Sequence, residues 1–596
     1  MKLSRIYSNL PEKFPPVSFN PGLNVVLAEI KLPENRDKDT HNLGKTTFGR
    51  LIDFTLLSKK DPDLFLFKNI DTFKDYIFYL EIQTGNNSFL TIRRSVSSPN
   101  SINIHLHDSG NLDLSSLPDE EWSHNALSFT KSVELLDGIL DFTALKDWTY
   151  RRALGYLLRT QEDYRDVFHL HKIVRNSDWV PFVARILGFN DVQITDLYEK
   201  EKKLEELRAR DKQLTEEIKD SKDALEKSEG LLLLKRADLA KKEAILESFN
   251  FNDPDKERTI DLVENIDSDI AILNSERYLL NKNKKKIVSS LENEIIHFNP
   301  EKVSQLFNEA NILFPDQITK DYSQLIQFLK TIGKERKDYL TKELEEIKTR
   351  LKQVEISSAD LQLKRSNALS FLSSTDIFYK YKDLSKELSN LRNDITHLEY
   401  EVEQLHKLRS LRSEIRTINE EISRLHTAIE EDKDLQCSSS DSLFTKIRIY
   451  FSEIIEFVID RQALLNVIIN ANGQLAFKAD ILDDNGNSTS ADLGHTYRKL
   501  LCIAFDLAVL RAHLGEKYPH FVFHDGLLES LDDRKKENLL TLIRQYSALG
   551  IQSIITAIDS DLPIRSASED IFTSEEIIRK LDDTGDSGRL FNIPAF

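Results

Sequence analysis

The chain has 596 residues, of which 30% are charged and 40% hydrophobic, and its formal net charge is −18. Its length is about four times that of a typical domain, which argues against one compact core. Its acidity argues against a simple basic coat for nucleic acid. Its 2 cysteines, Cys437 and Cys502, allow neither a disulfide framework nor a thiolate zinc site within one chain. The start, MKLSRIYSNLPEKF, lacks the apolar core of a signal peptide. The longest apolar runs, such as LLLL at 231–234, fall far below a membrane span. A cytoplasmic protein with no membrane partner is expected.

Residues 1–194 form the first expected domain. LNVVLAEI (23–30), YIFYLEI (76–82) and FLTIRR (89–94) read as strands, with Pro21-Gly22 and Gly85-Asn86-Asn87 as turns. Residues 144–187 read as helical. The strand at 23–30 leads to His41-Asn42-Leu43-Gly44-Lys45-Thr46-Thr47-Phe48, and an apolar helix, FGRLIDFTLL, follows. Strand, loop and helix in that order can cradle phosphate, because free N–H groups and the dipole at a helix start attract anions. Lys45 would neutralise the β- and γ-phosphates, and the Thr46 hydroxyl would coordinate Mg²⁺. The full phosphate-loop pattern wants Gly at position 39, where the chain has Asp39.

Residues 195–440 are expected to form an arm. Gly and Pro nearly vanish. Leu204, Ile218, Leu225, Leu232, Leu239 and Leu246 recur at heptad spacing, broken only by Asp211. Leu384, Leu388, Leu391, Ile395, Leu398, Val402 and Leu405 alternate steps of four and three, and a second such set runs from Leu411 to Ile429. Alternating steps of four and three mark a coiled coil. Four helices are expected, over about 195–247, 257–297, 322–370 and 377–433. The first would pair with the fourth and the second with the third. A joint would lie near 248–256/370–376 and a turnaround near 298–321. Fully extended, such an arm would reach roughly 130–150 Å. A helical bundle or a parallel dimeric rod is the rival arrangement.

Residues 441–596 form the third expected domain. They hold an amphipathic helix at 442–459, a hairpin turning at Ala471-Asn472-Gly473-Gln474, and the buried-strand patterns FVFHD (521–525) and IQSIITAID (551–559). An apolar strand ending in Asp525 suits a second Mg²⁺ ligand. Gln161, just after a helical stretch, could touch the metal ion or the attacking water. Ser490-Ala491-Asp492-Leu493-Gly494, ahead of the helix that carries Arg498, could bind a γ-phosphate presented by another subunit.

Together these elements resemble the ATP-binding-cassette (ABC) ATPases of the SMC/RecN type. More narrowly, His41 to Thr46 and His524-Asp525 resemble the coiled-coil ATPases of bacterial three-component ABC anti-phage systems of Lamassu and Menshen type. The resemblance implies a split α/β ABC-type P-loop ATPase head plus a long antiparallel α-helical coiled coil, with ATP and Mg²⁺ as cofactors. It assigns Asn42, Leu43, Gly44, Lys45, Thr46 and Thr47 to the Walker A loop and Gln161 to the Q-loop. Ser490, Gly494 and Arg498 fall in the signature segment, Asp525 is the Walker B acid, and Ser530-Leu531-Asp532 fall in the D-loop region. Arg93 and Arg94 match basic residues that approach nucleotide. Thr46, Gln161 and Asp525 would serve the metal.

The sequence departs from this family where a Glu normally follows the Walker B Asp. Gly526 stands there, with Glu529 the nearest carboxylate and His524 a possible contributor. No C-x-x-C occurs near the turnaround, so a zinc hook is not expected. The resemblance implies a homodimer through the heads, DNA as a partner, and separately encoded companion and effector subunits in phage defence. Slow hydrolysis with ATP used as a clamp, a scaffold that does not hydrolyse, a housekeeping DNA-repair ATPase, and a structural coiled coil with an accidental G-K-T are the alternatives. Candidate DNA contacts are Lys282 to Lys286 and the cluster Arg409, Arg412 and Arg416.

Overall fold

The computed structural model describes residues 1–32, 43–84, 88–170, 175–218, 224–247, 254–293, 318–371, 376–483, 485–487, 494–563 and 571–594. Most of the expected turnaround and most of the expected joint fall outside the described residues.

In chain order the N-terminal part gives β1 (Lys2–Ser8), β2 (Val17–Ser18), β3 (Leu23–Glu29), α1 (Lys45–Thr55), α2 (Phe65–Lys68), α3 (Ile70–Phe73), β4 (Ile77–Gln83), β5 (Phe89–Ser95), β6 (Ser101–His107), β7 (His124–Ser128), α4 (Phe129–Leu140), α5 (Tyr150–Leu157), β8 (Leu158–Arg159) and α6 (Asn176–Leu187). The long helices follow: α7 (Asp191–Ile218), α8 (Ala224–Glu247), α9 (Pro254–Asn293), α10 (Ile318–Phe371) and α11 (Asp376–Ser438). The chain continues with α12 (Leu443–Ile459), β9 (Ala463–Ile469), β10 (Leu475–Ile481), α13 (His495–Ala512), β11 (Phe521–His524), α14 (Asp533–Ala548), β12 (Gln552–Ile558) and β13 (Ile577–Asp582).

Two compact units result, Met1–Lys203 with Ile418–Phe596, and Leu204–Thr417. Their limits fall inside α7 and α11, and not at the expected 194/195 and 440/441. The roots of both helices are tied into the first unit. Gln474 Nε2 donates to Glu201 Oε2 at 2.7 Å, Lys200 Nζ to Glu421 Oε2 at 2.5 Å, and the Asn190 N–H to Asp432 Oδ2 at 2.7 Å.

In the first unit, β3 and β12 are apolar runs buried on both faces, as central parallel strands require. They lie in a five-stranded parallel sheet ordered β13-β3-β12-β11-β8. A six-stranded antiparallel sheet, β2-β1-β4-β5-β6-β7, stands apart, and β9 and β10 form a separate hairpin. Helix α1 lies between the two larger sheets. Its Phe54 meets Phe78 of β4 edge-on, and its Phe48 meets Phe523 of β11. A Cβ on Gly49 would come 2.4 Å from the Phe523 ring, so only Gly allows α1 this close to β11. Both halves of the chain therefore build one sheet, and β12 separates β3 from β11.

In the second unit α8 pairs antiparallel with α11, and α9 with α10. Lys242 reaches Glu387, Lys235 reaches Asp394 and Ser228 reaches Glu401. Ile287 packs with Ile347 and Leu351, and Arg350 Nε donates to Glu276 at 2.6 Å. The pairing is the expected one, but the extended rod is not found. Helix α9 lies back along α11 and runs parallel to it. Val263 packs with Tyr381, Asp267 meets Ser385, and Lys282 stands 3.8 Å over the Tyr400 ring. Both helices advance in step, so the distal pair doubles back on the proximal pair.

A buried carboxylate fixes the fold-back. Asp267 on α9 accepts from Arg365 on α10 at 2.5 and 3.2 Å and from Ser385 on α11 at 2.5 Å. Three helices thus share one acid. Asp267→Ala strands the Arg365 guanidinium and is expected to weaken the fold-back by about 2 kcal/mol. Thiol cross-linking of Lys282→Cys to Tyr400→Cys, with Cys437 and Cys502 removed, should fall several-fold when Asp267→Ala is added.

Helix packing also engages expected DNA contacts. The fold-back commits Lys282 to Tyr400, and in the α7–α11 pair Arg412 Nε donates to Asp211 at 3.0 Å.

Candidate nucleotide-binding site

The expected phosphate loop leads into α1, whose N-cap is Gly44 with φ 98°. This left-handed conformation suits Gly alone, and a Cβ there would fall 2.6 Å from Leu590 Cβ. Leu43 is buried under the turn, and its carbonyl accepts the Leu590 N–H at 3.0 Å. Lys45, Thr46 and Thr47 form the first turn of α1, which carries no acidic residue. The first N–H groups of a helix have no partner within it. An anion is welcome at this end for both reasons. Asn42 and Ser490 lie outside the described residues.

The parallel sheet brings Asp525 to this turn. Thr46 Oγ1 donates to Asp525 Oδ2 at 2.6 Å across 479 residues of sequence. Asp525 is fully buried, its N–H donates to the Arg159 carbonyl, and Thr556 Oγ1 donates to its Oδ1 at 2.7 Å. Thr556 also accepts the Gly526 N–H at 2.7 Å. Sequence reasoning missed Thr556. Its signal was a lone hydroxyl in the apolar run Ile554-Ile555-Thr556-Ala557-Ile558.

A buried carboxylate whose partners are hydroxyls fits a divalent cation. Among the described residues no cluster of three or more His, Cys, Asp or Glu could cage a metal alone. Asp525 and Thr46 instead offer one carboxylate and one hydroxyl. Mg²⁺ typically accepts such a set when substrate phosphates and water complete its shell.

Glu529 turns back into the same site. Its Oε2 accepts from Gln161 Nε2 at 2.7 Å, and its Oε1 lies 3.5 Å from Lys45 Nζ. Gly526 explains the return. With φ 61°, it reverses the chain after β11, and a Cβ there would lie 2.7 Å from Glu529 Cδ and 2.8 Å from Gln161 Nε2. The Glu529 carboxyl therefore fills the space a side chain at 526 would enter. Burial pushes its pKa up, against the pull of Lys45 and Lys499. Lys45, Thr46, Gln161, Asp525 and Glu529 form one polar cluster.

Other expected residues face elsewhere. Successive strand residues point to opposite faces, so His524 points away from Asp525. It lies 3.2 Å from Asp506 Oδ2, in contact with the buried Arg159–Asp506 pair, and burial lowers its pKa. His524 is thus part of the support and not of the cluster. Arg93 donates to Asp119 and stacks over Trp122, because it stands opposite Tyr79 on the face that carries the Tyr7, Tyr79 and Trp122 group. Arg94 is buried, with Nε on the Pro99 carbonyl and Nη1 on the Phe54 carbonyl.

Gly494 caps α13. Arg498 lines a cleft of about 380 Å³ with Asp166, Phe168, Phe477, Lys478 and Asp480. Lys499, the next residue, faces the 526–529 turn. Burial lowers its pKa to about 8.

No helix among the described residues is long and apolar enough to cross a membrane. Residues 451–595, from within α12 to beyond the last strand, match a family described as an uncharacterised protein conserved in bacteria (DUF2326). No curated protein matches the sequence. Among solved structures, the chain is similar to the Smc head domain with a coiled coil and joint from Pyrococcus yayanosii, at 15% identity over 94% of this chain and 92% of that one, with a TM-score of 0.35. It is likewise similar to the Smc head domain with an extended coiled coil, bound to the C-terminal domain of ScpA, from Pyrococcus furiosus, at 12% identity over 94% and 90% of the two chains, with a TM-score of 0.32.

Proposed function

We propose that this chain binds and hydrolyses ATP with Mg²⁺, in a head whose two halves come from the two ends of the sequence. The observation that carries the proposal is the 2.6 Å bond between Thr46 and Asp525. The bond joins the first turn of α1 to a buried acid, which supports reading that turn as a phosphate cradle. Lys45 binds the terminal phosphates, and the free N–H groups of α1 hold the β-phosphate. Thr46 and Asp525 would hold Mg²⁺, which would supply charge neutralisation at the phosphate oxygens. Gln161 and Glu529 orient the attacking water, and Glu529 accepts its proton.

The finer reading extends to assembly. Two heads pair around two ATP molecules, each γ-phosphate meeting the α13 start of the other subunit. Head closure then controls DNA engagement and separately encoded companion and effector subunits, in bacterial anti-phage defence. The motif phrases around Lys45 and Asp525 support this part.

Lys45→Ala is expected to weaken ATP binding by about 100-fold or more, because a charge-paired phosphate loses its partner. Equilibrium binding of a fluorescent ATP analogue measures it. The same variant should lose ATP-dependent, salt-sensitive retention on immobilised DNA. Unchanged ATP affinity would refute the site. Normal binding by the parent chain without turnover would favour the clamp or scaffold reading.

A further inference from the structure

We propose that Lys499 is a positioning residue that holds Glu529 in its working place and makes hydrolysis depend on the seating of α13. The inference rests on the assignment of Glu529 to the attacking water.

Lys499 is only 2% exposed. Its ammonium donates to the Gly526 carbonyl, and to the Glu529 carbonyl at 3.1 Å. One turn earlier on the same helix face, Thr496 Oγ1 donates to the Ser530 carbonyl at 3.3 Å. The segment these donors grip is unusual. Gly526 and Ser530, at its two ends, both have positive φ, 61° and 65°. Non-Gly residues are seldom found there, and such conformations persist when their surroundings hold them. Here the holding groups lie on α13.

The choice of lysine carries the functional part of the inference. Two carbonyls could be satisfied by a neutral amide. A buried ammonium instead suffers desolvation, which is why its pKa falls. Glu529, Asp561 and Asp525 attract it, and Lys45 opposes it. The Tyr164 ring lies 5.6 Å from its nitrogen. Lys499 thus adds a second cation near Glu529 and grips the backbone of the same residue. Helix α13 begins at Gly494. A shift of the helix start would be carried within two turns to the Glu529 backbone.

The experiment is a double-mutant cycle on the full chain, reading kcat, the KM for Mg-ATP and nucleotide affinity. Lys499→Met is expected to lower kcat by about 100-fold, the scale of an ångström-sized misplacement. KM and nucleotide affinity should stay within about threefold. Added to Glu529→Gln, it should cause no further loss, because two residues that act through one step are not additive. Lys499→Gln keeps donors for the carbonyls but removes the charge, and it should lose kcat similarly. It also serves if the Met variant does not fold. Normal kcat in Lys499→Gln, or losses that multiply with those of Glu529→Gln, would overturn the inference. Glu529→Gln with full turnover would instead overturn the assignment of Glu529 itself, whatever the Lys499 variants do.

Discussion

Glu529→Gln is expected to lower ATP turnover by about 10²- to 10⁴-fold, the contribution of a positioned general base, with Mg-ATP affinity nearly unchanged. The amide keeps the size of the side chain and can still bond to Gln161. It cannot accept the proton released by water. Phosphate release under saturating ATP measures the loss, and binding of an ATP analogue measures what remains. The reason to expect so large an effect from a residue four positions past Asp525 is steric. Gly526 leaves no room for a side chain, and the Glu529 carboxyl lies within 2.7 Å of where its Cβ would stand. The acid has not been lost from the site, because it enters from the next turn.

Asp506→Ala should be the most destabilising single change in the head. Arg159 is fully buried, and all five of its N–H groups are used. Nε and Nη2 reach Asp506 at 2.7 and 3.0 Å, and the remaining three bonds go to the carbonyls of Asp163, Asp166 and Val167. Burial disfavours the charge on Arg159, and Asp506 more than restores it. Removing Asp506 leaves an uncompensated buried guanidinium, which costs about 3–5 kcal/mol. Denaturant unfolding of the full chain, followed by a head probe such as Trp148 or Trp179, should show an earlier transition. The three carbonyls belong to the segment that carries Gln161, so turnover should fall as well.

How much of this was legible in the sequence depended on the range of each signal. Lys45, Thr46 and Asp525 could be read because each closes a short strand-to-helix or strand-end pattern. The heptads showed which face of each arm helix is apolar, and the matched lengths of the two halves indicated how the helices pair. They could not show that α9 also lies against α11, because a periodic seam reports a buried face without naming its neighbour. His524 is suggested by its adjacency to Asp525 and Arg93 by the family resemblance, and strand parity sends both to other faces. Glu529 could be named as the nearest carboxylate, but its direction depends on the positive φ of Gly526. Thr556 and Lys499 come from distant segments, and no local pattern links them to Asp525.

The doubling-back of the arm has a consequence for its evolution. Between residues 381 and 400, α11 serves as a shared rail, with α8 on one flank and α9 on another. Adding one residue to a helix rotates everything beyond it by about 100°. An insertion within this stretch would throw two interfaces out of phase at once, and no repair in a single partner could restore both. Length variation in the arm should therefore collect elsewhere, in paired changes that leave this rail intact.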